Sequence, residues 1–277
     1  MTRQEDSSIP MRQNREQMLK LIAKSFYKEL ITYGVNTHEI LSVTEHLLDN
    51  LQQKPCRPDG DTEYYNRLFV IGDVRDDWAT AKRLTVQEVC ISPMKPDIVP
   101  QVATWLQAPE IRETFYPCFP SSEKSLVRYF QTSDREYFSI FYQEDLAGII
   151  GAENLDNESA KLEMRKLVGD PRMHGKGIGK RATFLFLYYV FVIRKFKKVY
   201  LHTMDINIRN INLNCRFGFE LEGVFLEDAM IQNKWRDVVR MALYGSTWLA
   251  LFSRTDRTHS RGSAASPYRS IAAPIYY

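Results

Sequence analysis

Apolar residues recur at helical spacing near the start of the chain. Met18, Leu21, Ile22, Phe26, Leu30 and Ile31 fall on one stripe, which Tyr33-Gly34 ends. Asn36 or Thr37 then caps a second stripe of Ile40, Leu41, Thr44, Leu47, Leu48 and Leu51. The spacing predicts a small α-helical hairpin over 14–52. Its two stripes cannot bury themselves alone, so it must pack on the rest of the chain or on another copy, which would make a homodimer. Residues 1–13 are polar and predicted as disordered. Residues 53–84, with Pro55, Pro58-Asp59-Gly60 and many charges, read as a linker with one strand at 67–71. From 85 to 252 the periodicity changes. Leu146–Glu153 and Lys161–Val168 read as paired strands across a polar turn at 156–159, closed by Gly169-Asp170-Pro171. Ala182–Phe196 reads as a helix, Lys198–Met204 as a short strand, and Asn207 to Gly218 as a capped helix. From 253 to 277 the residues turn to Arg, Ser, Ala and Pro without periodicity, which predicts a disordered tail.

Composition narrows this picture without redirecting it. A chain of 277 residues with 44% hydrophobic and 26% charged residues can bury a sizeable core. A formal charge of +3 gives no reason to expect nucleic acid as a partner. The longest apolar run, Phe184–Ile193, is too short for a bilayer, and the opening residues lack a signal-peptide core. The expectation is a cytoplasmic protein with no membrane partner. Cys56, Cys90, Cys118 and Cys215 are scattered without metal spacing, so no metal is expected.

The chemistry concentrates in Arg172-Met173-His174-Gly175-Lys176-Gly177-Ile178-Gly179-Lys180-Arg181. Alternate glycines let the backbone bend so that successive N–H groups face one concavity, and the helix start behind it adds unpaired donors and its positive dipole end. Such a loop suits a pyrophosphate. A Walker A loop is excluded because Gly179-Lys180 is followed by Arg181 rather than Ser or Thr. A dinucleotide fingerprint is excluded because its acidic residue, expected about 20 residues on, is replaced by Tyr200 in a cationic and apolar run.

Arg172, Gly175 and Gly177 fit the pattern Arg/Gln-x-x-Gly-x-Gly, and Asn207 to Gly218-Phe219 follows after one helix and one strand. In both motifs and their order, residues 85–252 resemble the GNAT superfamily of acyl-CoA-dependent N-acyltransferases. The likeness is greatest to the branch with ribosomal-protein alanine, amino-sugar and polyamine N-acetyltransferases. The resemblance implies an α+β fold, with a mixed, mostly antiparallel central sheet flanked by helices.

It also implies acetyl-CoA as co-substrate. Amides of Gly175 to Lys180 would hold its pyrophosphate, with Lys176, Lys180 and Arg181 adding charge, His174 a further contact and Arg172 supporting the loop. A splay of the strand before the loop would offer a backbone N–H near Leu167 or Val168 to the thioester carbonyl, and Asn207 and Asn212 are further partners for pantetheine or acceptor. Glu163 is the expected general base, with His202 and Asp205 in reserve. Where many relatives carry a tyrosine beside the leaving thiolate, this chain has Asn214, which can donate a hydrogen bond but cannot release a proton at neutral pH. The expected reaction is direct transfer of an acetyl group to a primary amine. The amine belongs to a small molecule (amino sugar, polyamine or natural product) or to a peptide N-terminus. Two alternatives stay open: a non-catalytic acyl-CoA sensor or scaffold, and a transferase fed by a carrier-bound acyl group.

Overall fold

In a computed structural model, the structure describes residues 9–32, 34–44, 64–108, 111, 119–120, 122–205, 207–231 and 233–253. Among the described residues nine strands form one sheet: β1 (Arg75–Asp77), β2 (Arg83–Val86), β3 (Val89–Pro93), β4 (Glu136–Tyr142), β5 (Asp145–Asp156), β6 (Lys161–Val168), β7 (Lys198–Met204), β8 (Glu220–Ile231) and β9 (Lys234–Tyr244). Their order across the sheet is β1-β2-β3-β4-β5-β6-β7-β9-β8. Every pairing is antiparallel except β6 with β7, the result of the helical crossover between them. The expected mixed, mostly antiparallel α+β sheet is therefore present.

The crossover helix carries most of the core. Helix α4 (Ile178–Tyr188) buries Phe184, Leu185, Phe186 and Leu187 completely, then continues as a π-helical segment, Tyr189–Ile193. Around it gather Phe69, Phe217, Trp248 and Phe252, the last two from α6 (Gly245–Phe252). Two other helices, α2 (Val99–Gln107) and α3 (Glu123–Phe130), belong to separate apolar clusters, where Val102 and Trp105 meet Tyr137, Ile149 and Leu167. Strand β6 faces both ways: Leu162 and Met164 join the α4 cluster, while Leu167 joins the α2 cluster.

Three sequence expectations need correction. The stretch expected as a linker folds, at least over 64–84. Phe69 and Leu84 are buried there, and β1 and β2 extend the sheet. The strand expected at 67–71 is instead occupied by parts of two short 3-10 turns, Tyr65–Arg67 and Ile71–Asp73. These elements are too short and too charged for a periodicity to show. The crossover helix begins at Ile178 rather than 182, because Gly177 takes up the turn as its N-cap.

At the N-terminus, helix α1 (Ile9–Thr32) starts inside the stretch expected to be disordered. Met18 and Leu21 pack against the core, Ser25 is buried, and Glu29 pairs with Arg236 of β9 at 2.8 Å. Phe26 and Ile31, placed on the same stripe by periodicity, are exposed. Residues 37–44 are helical, and Asn36 and Glu39 cap each other reciprocally. The remainder of the expected hairpin (45–52), residues 1–8 and the tail from 254 lie outside the described residues. No helix among the described residues is long and apolar enough to cross a membrane.

Candidate active site

A single change of partner opens the site. β6 pairs with β7 only from Lys161↔Lys198 to Glu163↔Tyr200. Beyond that point β6 stays with β5 to Val168↔Gly148, while β7 stays with β9 to Met204↔Val238. Two strands held by different partners diverge, and the backbone edge of 164–168 faces a cleft instead of a ladder. The cleft measures about 220 Å³ and lies between Met164–Val168 and Leu201–Thr203. Its floor is α5 (Ile208–Cys215), which with its N-cap presents Asn207, Asn210 and Asn214, and Ile111 and His174 complete the lining.

The glycine loop forms the rim. Asp170 accepts the Arg172 N–H at 2.9 Å and caps the turn Pro171–Met173. Gly175 and Gly177 then adopt φ of +81° and +74°, a left-handed backbone that L side chains avoid. This conformation brings the chain directly into the first turn of α4. Three cations spread around that helix start, each steadied by a different part of the fold. Lys176 Nζ lies 5.4 Å from the Tyr142 ring centre, Lys180 Nζ lies 5.7 Å from that of Tyr65, and Arg181 Nε donates to Gln87 at 2.7 Å. Cations here oppose the helix dipole, so the arrangement is suited to an anion that compensates both.

Below the rim, His174 Nε2 meets the Val168 carbonyl at 3.0 Å and ties the loop to the end of β6. Asn207 accepts the Asn210 N–H at 3.2 Å as the α5 N-cap, and Asn210 Nδ2 reaches Thr203 Oγ1 at 3.3 Å. Asn214 is fully buried and lines the cleft, yet neither its Oδ1 nor its Nδ2 has a hydrogen-bond partner among the described residues. A buried amide left unpaired costs about 1–3 kcal/mol, so its place in the fold points to a ligand.

Glu163 stands one bond behind the cleft. Its carboxylate accepts from Asn154 Nδ2 at 2.8 Å and pairs with Arg165 at 2.9 Å and with His202 Nδ1 at 2.8 Å. Burial pushes the Glu163 pKa up, but the His202 bond and the Arg165 charge outweigh it and hold the carboxyl below its ordinary value. An ionised carboxylate can only accept, so His202 Nδ1 is the donor to it. His202, not Glu163, lines the cleft. Arg165 also pairs with Glu153 at 3.2 Å, and Glu153 accepts from Tyr129 and Tyr137. The chain Glu153–Arg165–Glu163–His202 thus fixes one imidazole edge from behind.

Of the residues singled out from sequence, Leu167, Val168, His174, Asn207 and Asn214 line the cleft, and Gly175 to Arg181 form its rim. Arg172 points outward, 87% exposed and bound to Asp170, and Asn212 lies on the exposed side of α5. Lys166, Thr203 and Asn210 line the cleft without having been foreseen. Asn210 follows Asn207 at a helical spacing that carries that signal; Lys166 and Thr203 show none without the strand pairing. No group of His, Cys, Asp or Glu among the described residues is arranged to hold a metal ion.

The acetyltransferase (GNAT) domain family matches residues 88–220. Spermidine N(1)-acetyltransferase of Escherichia coli (strain K12) is 22% identical over 146 residues, 53% of this chain and 75% of that protein. Spermine/spermidine N(1)-acetyltransferase of Bacillus subtilis (strain 168) is 29% identical over 89 residues, 30% of this chain and 59% of that protein. Among solved structures, spermidine N-acetyltransferase from Vibrio cholerae in complex with CoA and spermine superposes with a TM-score of 0.55 at 20% identity. That superposition covers 58% of this chain and 98% of the other.

Proposed function

Through residues 88–220 the chain belongs to the acetyltransferase (GNAT) family, and from that premise we propose that it transfers the acetyl group of acetyl-CoA to a primary amine of a polyamine. One observation carries the reading. The splay of β6 from β7 exposes a strand edge that ends, on one side, at a fully buried amide without partners among the described residues and, on the other, at a histidine held by a carboxylate.

The residues fit acetyl-CoA. Amides of Gly175 to Lys180 and the start of α4 hold its pyrophosphate, with Lys176, Lys180 and Arg181 adding charge. The edge of β6 pairs with the pantetheine amides as an added strand would, and the N–H groups near Leu167 and Val168 polarise the thioester carbonyl. Asn214 completes its hydrogen bonds on the same chain of amides or on the sulfur. The bound thioester supplies an activated acetyl group; no metal is needed for that chemistry.

His202 Nε2 takes the proton of the attacking amine, and Glu163 steadies the imidazolium that results. Glu163 is therefore the positioning carboxylate, and the base is His202, held in reserve by the sequence reading. The names of the relatives support a polyamine as acceptor: those from Escherichia coli and Bacillus subtilis are spermidine or spermine N-acetyltransferases.

Titration calorimetry with acetyl-CoA, followed by thiol release with spermidine, spermine, an amino sugar and an N-terminal peptide, tests this reading. Micromolar binding and release with polyamines are expected. Binding without release from any amine would leave a sensor or scaffold, and release only with the peptide would move the acceptor to protein N-termini.

A further inference from the structure

Lys166 is an amine placed where the scheme above gives it nothing to do. It projects from β6 on the α4 face, and its Nζ donates to Thr183 Oγ1 at 2.8 Å; that hydroxyl donates in turn to the Gly179 carbonyl at 2.8 Å. It lines the same cleft as Asn214. No carboxylate among the described residues pairs with it. Its β5 neighbour is Ile150, α4 begins with Lys180 and Arg181, α5 faces the cleft with asparagines, and the other titratable groups of the lining are Arg165, His174 and His202. The side chain as a whole is part-buried, but loss of solvent around the ammonium pulls its pKa down to about 7. A fold gains little in stability from a desolvated ammonium that has a hydroxyl but, among the described residues, no carboxylate beside it, so the placement asks for a chemical reason.

We propose that Lys166 protonates the departing sulfur of coenzyme A, the task that the Asn214 amide cannot perform. The inference rests on the acetyl-transfer reading. As the amine nitrogen bonds to the carbonyl carbon, the C–S bond breaks and its electron pair goes to sulfur. Sulfur takes a proton from Lys166 Nζ, while the amine's surplus proton goes to His202 Nε2. One amine and one thioester thus give one amide and one thiol, and exchange with solvent restores both side chains. Free thiols titrate near ~8.5, so an ammonium with a pKa of about 7 is the stronger acid and gives up its proton downhill.

The 277-residue chain with ¹³Cε-labelled lysine provides a test independent of the acceptor. The Lys166 resonance, assigned by its loss in Lys166→Met, is titrated with CoA and with desulfo-CoA, which lacks only the sulfur. A midpoint that differs between the two ligands is expected; identical midpoints overturn the proposal. In turnover with spermidine, Lys166→Met is expected to lower kcat about 10²-fold and to remove the alkaline decline of kcat, with the acetyl-CoA Kd changed by less than about threefold. A variant that keeps kcat within about threefold, or that loses affinity alone, overturns it as well. Wild-type protein that shows the midpoint difference but acetylates no polyamine upholds the lysine–sulfur contact and refutes the acceptor reading instead.

Discussion

Replacing Asn214 by Leu is expected to stabilise the ligand-free protein and weaken its hold on acetyl-CoA, two opposite effects from one substitution. The side chains have the same number of heavy atoms and the same branching; Leu is the bulkier, its two methyl groups replacing a planar amide, and the adjoining cleft of about 220 Å³ offers room for the difference. What changes is the pair of buried polar atoms that find no partner among the described residues. Each such atom costs about 1–3 kcal/mol, and partial relaxation shares that cost between the two, so the gain is about 1–3 kcal/mol in total. For a protein of this size that corresponds to a Tm increase of roughly 2–4 °C per kcal/mol. With ligand the order narrows. Acetyl-CoA at a hundredfold excess over Kd stabilises the wild type by about 2.7 kcal/mol, and a variant binding tenfold more weakly gives up about 1.4 kcal/mol of that. Thermal unfolding with and without acetyl-CoA, alongside calorimetry, reads both effects. A ligand-free variant less stable than wild type by more than about 1 kcal/mol would refute the reasoning, since Asn214 would then be satisfied within the fold.

Four further outcomes follow from the structure. His202→Gln is expected to lower kcat about 10²-fold with acetyl-CoA affinity intact, and Glu163→Gln to lower it less, both read by thiol release across pH. Because the folded Glu163 pKa lies below its ordinary value, its contribution to stability is complete above the unfolded pKa, near 4.5, and is lost as pH falls through the folded one; Glu163→Gln should flatten that acid limb of the unfolding free energy. Gly177→Ala forces a side chain onto φ +74° and sets its Cβ 2.8 Å from Lys180 Cε, which should cost about 1–2 kcal/mol in urea unfolding and weaken acetyl-CoA binding. Ser25→Ala removes the 3.0 Å donor to Asp205, whose pKa burial already raises, and should destabilise the protein by about 1–3 kcal/mol with little change in kcat.

The sequence by itself determined the elements whose identity is written locally. Strand 161–168 stands where alternation placed it and 198–204 where a short strand was expected, Asn207 caps its helix, and Gly175, Gly177 and Gly218 adopt the positive φ that their positions called for. Glycine loops, caps and two-residue alternation depend on neighbours in the chain, so one sequence suffices to see them. Tertiary structure decided the rest. Whether Glu163 or His202 meets the cleft depends on which side of β6 pairs with β7, a register no local pattern encodes. Lys166 and Thr203 become cleft residues only because β6 and β7 part company, and Asn214 is left without a partner among the described residues only by the packing around α5. Short charged strands such as β1 gain their place from a partner strand distant in sequence rather than from their own composition. The chemistry lay visible in residue types; which atoms face one another was settled by long-range pairing.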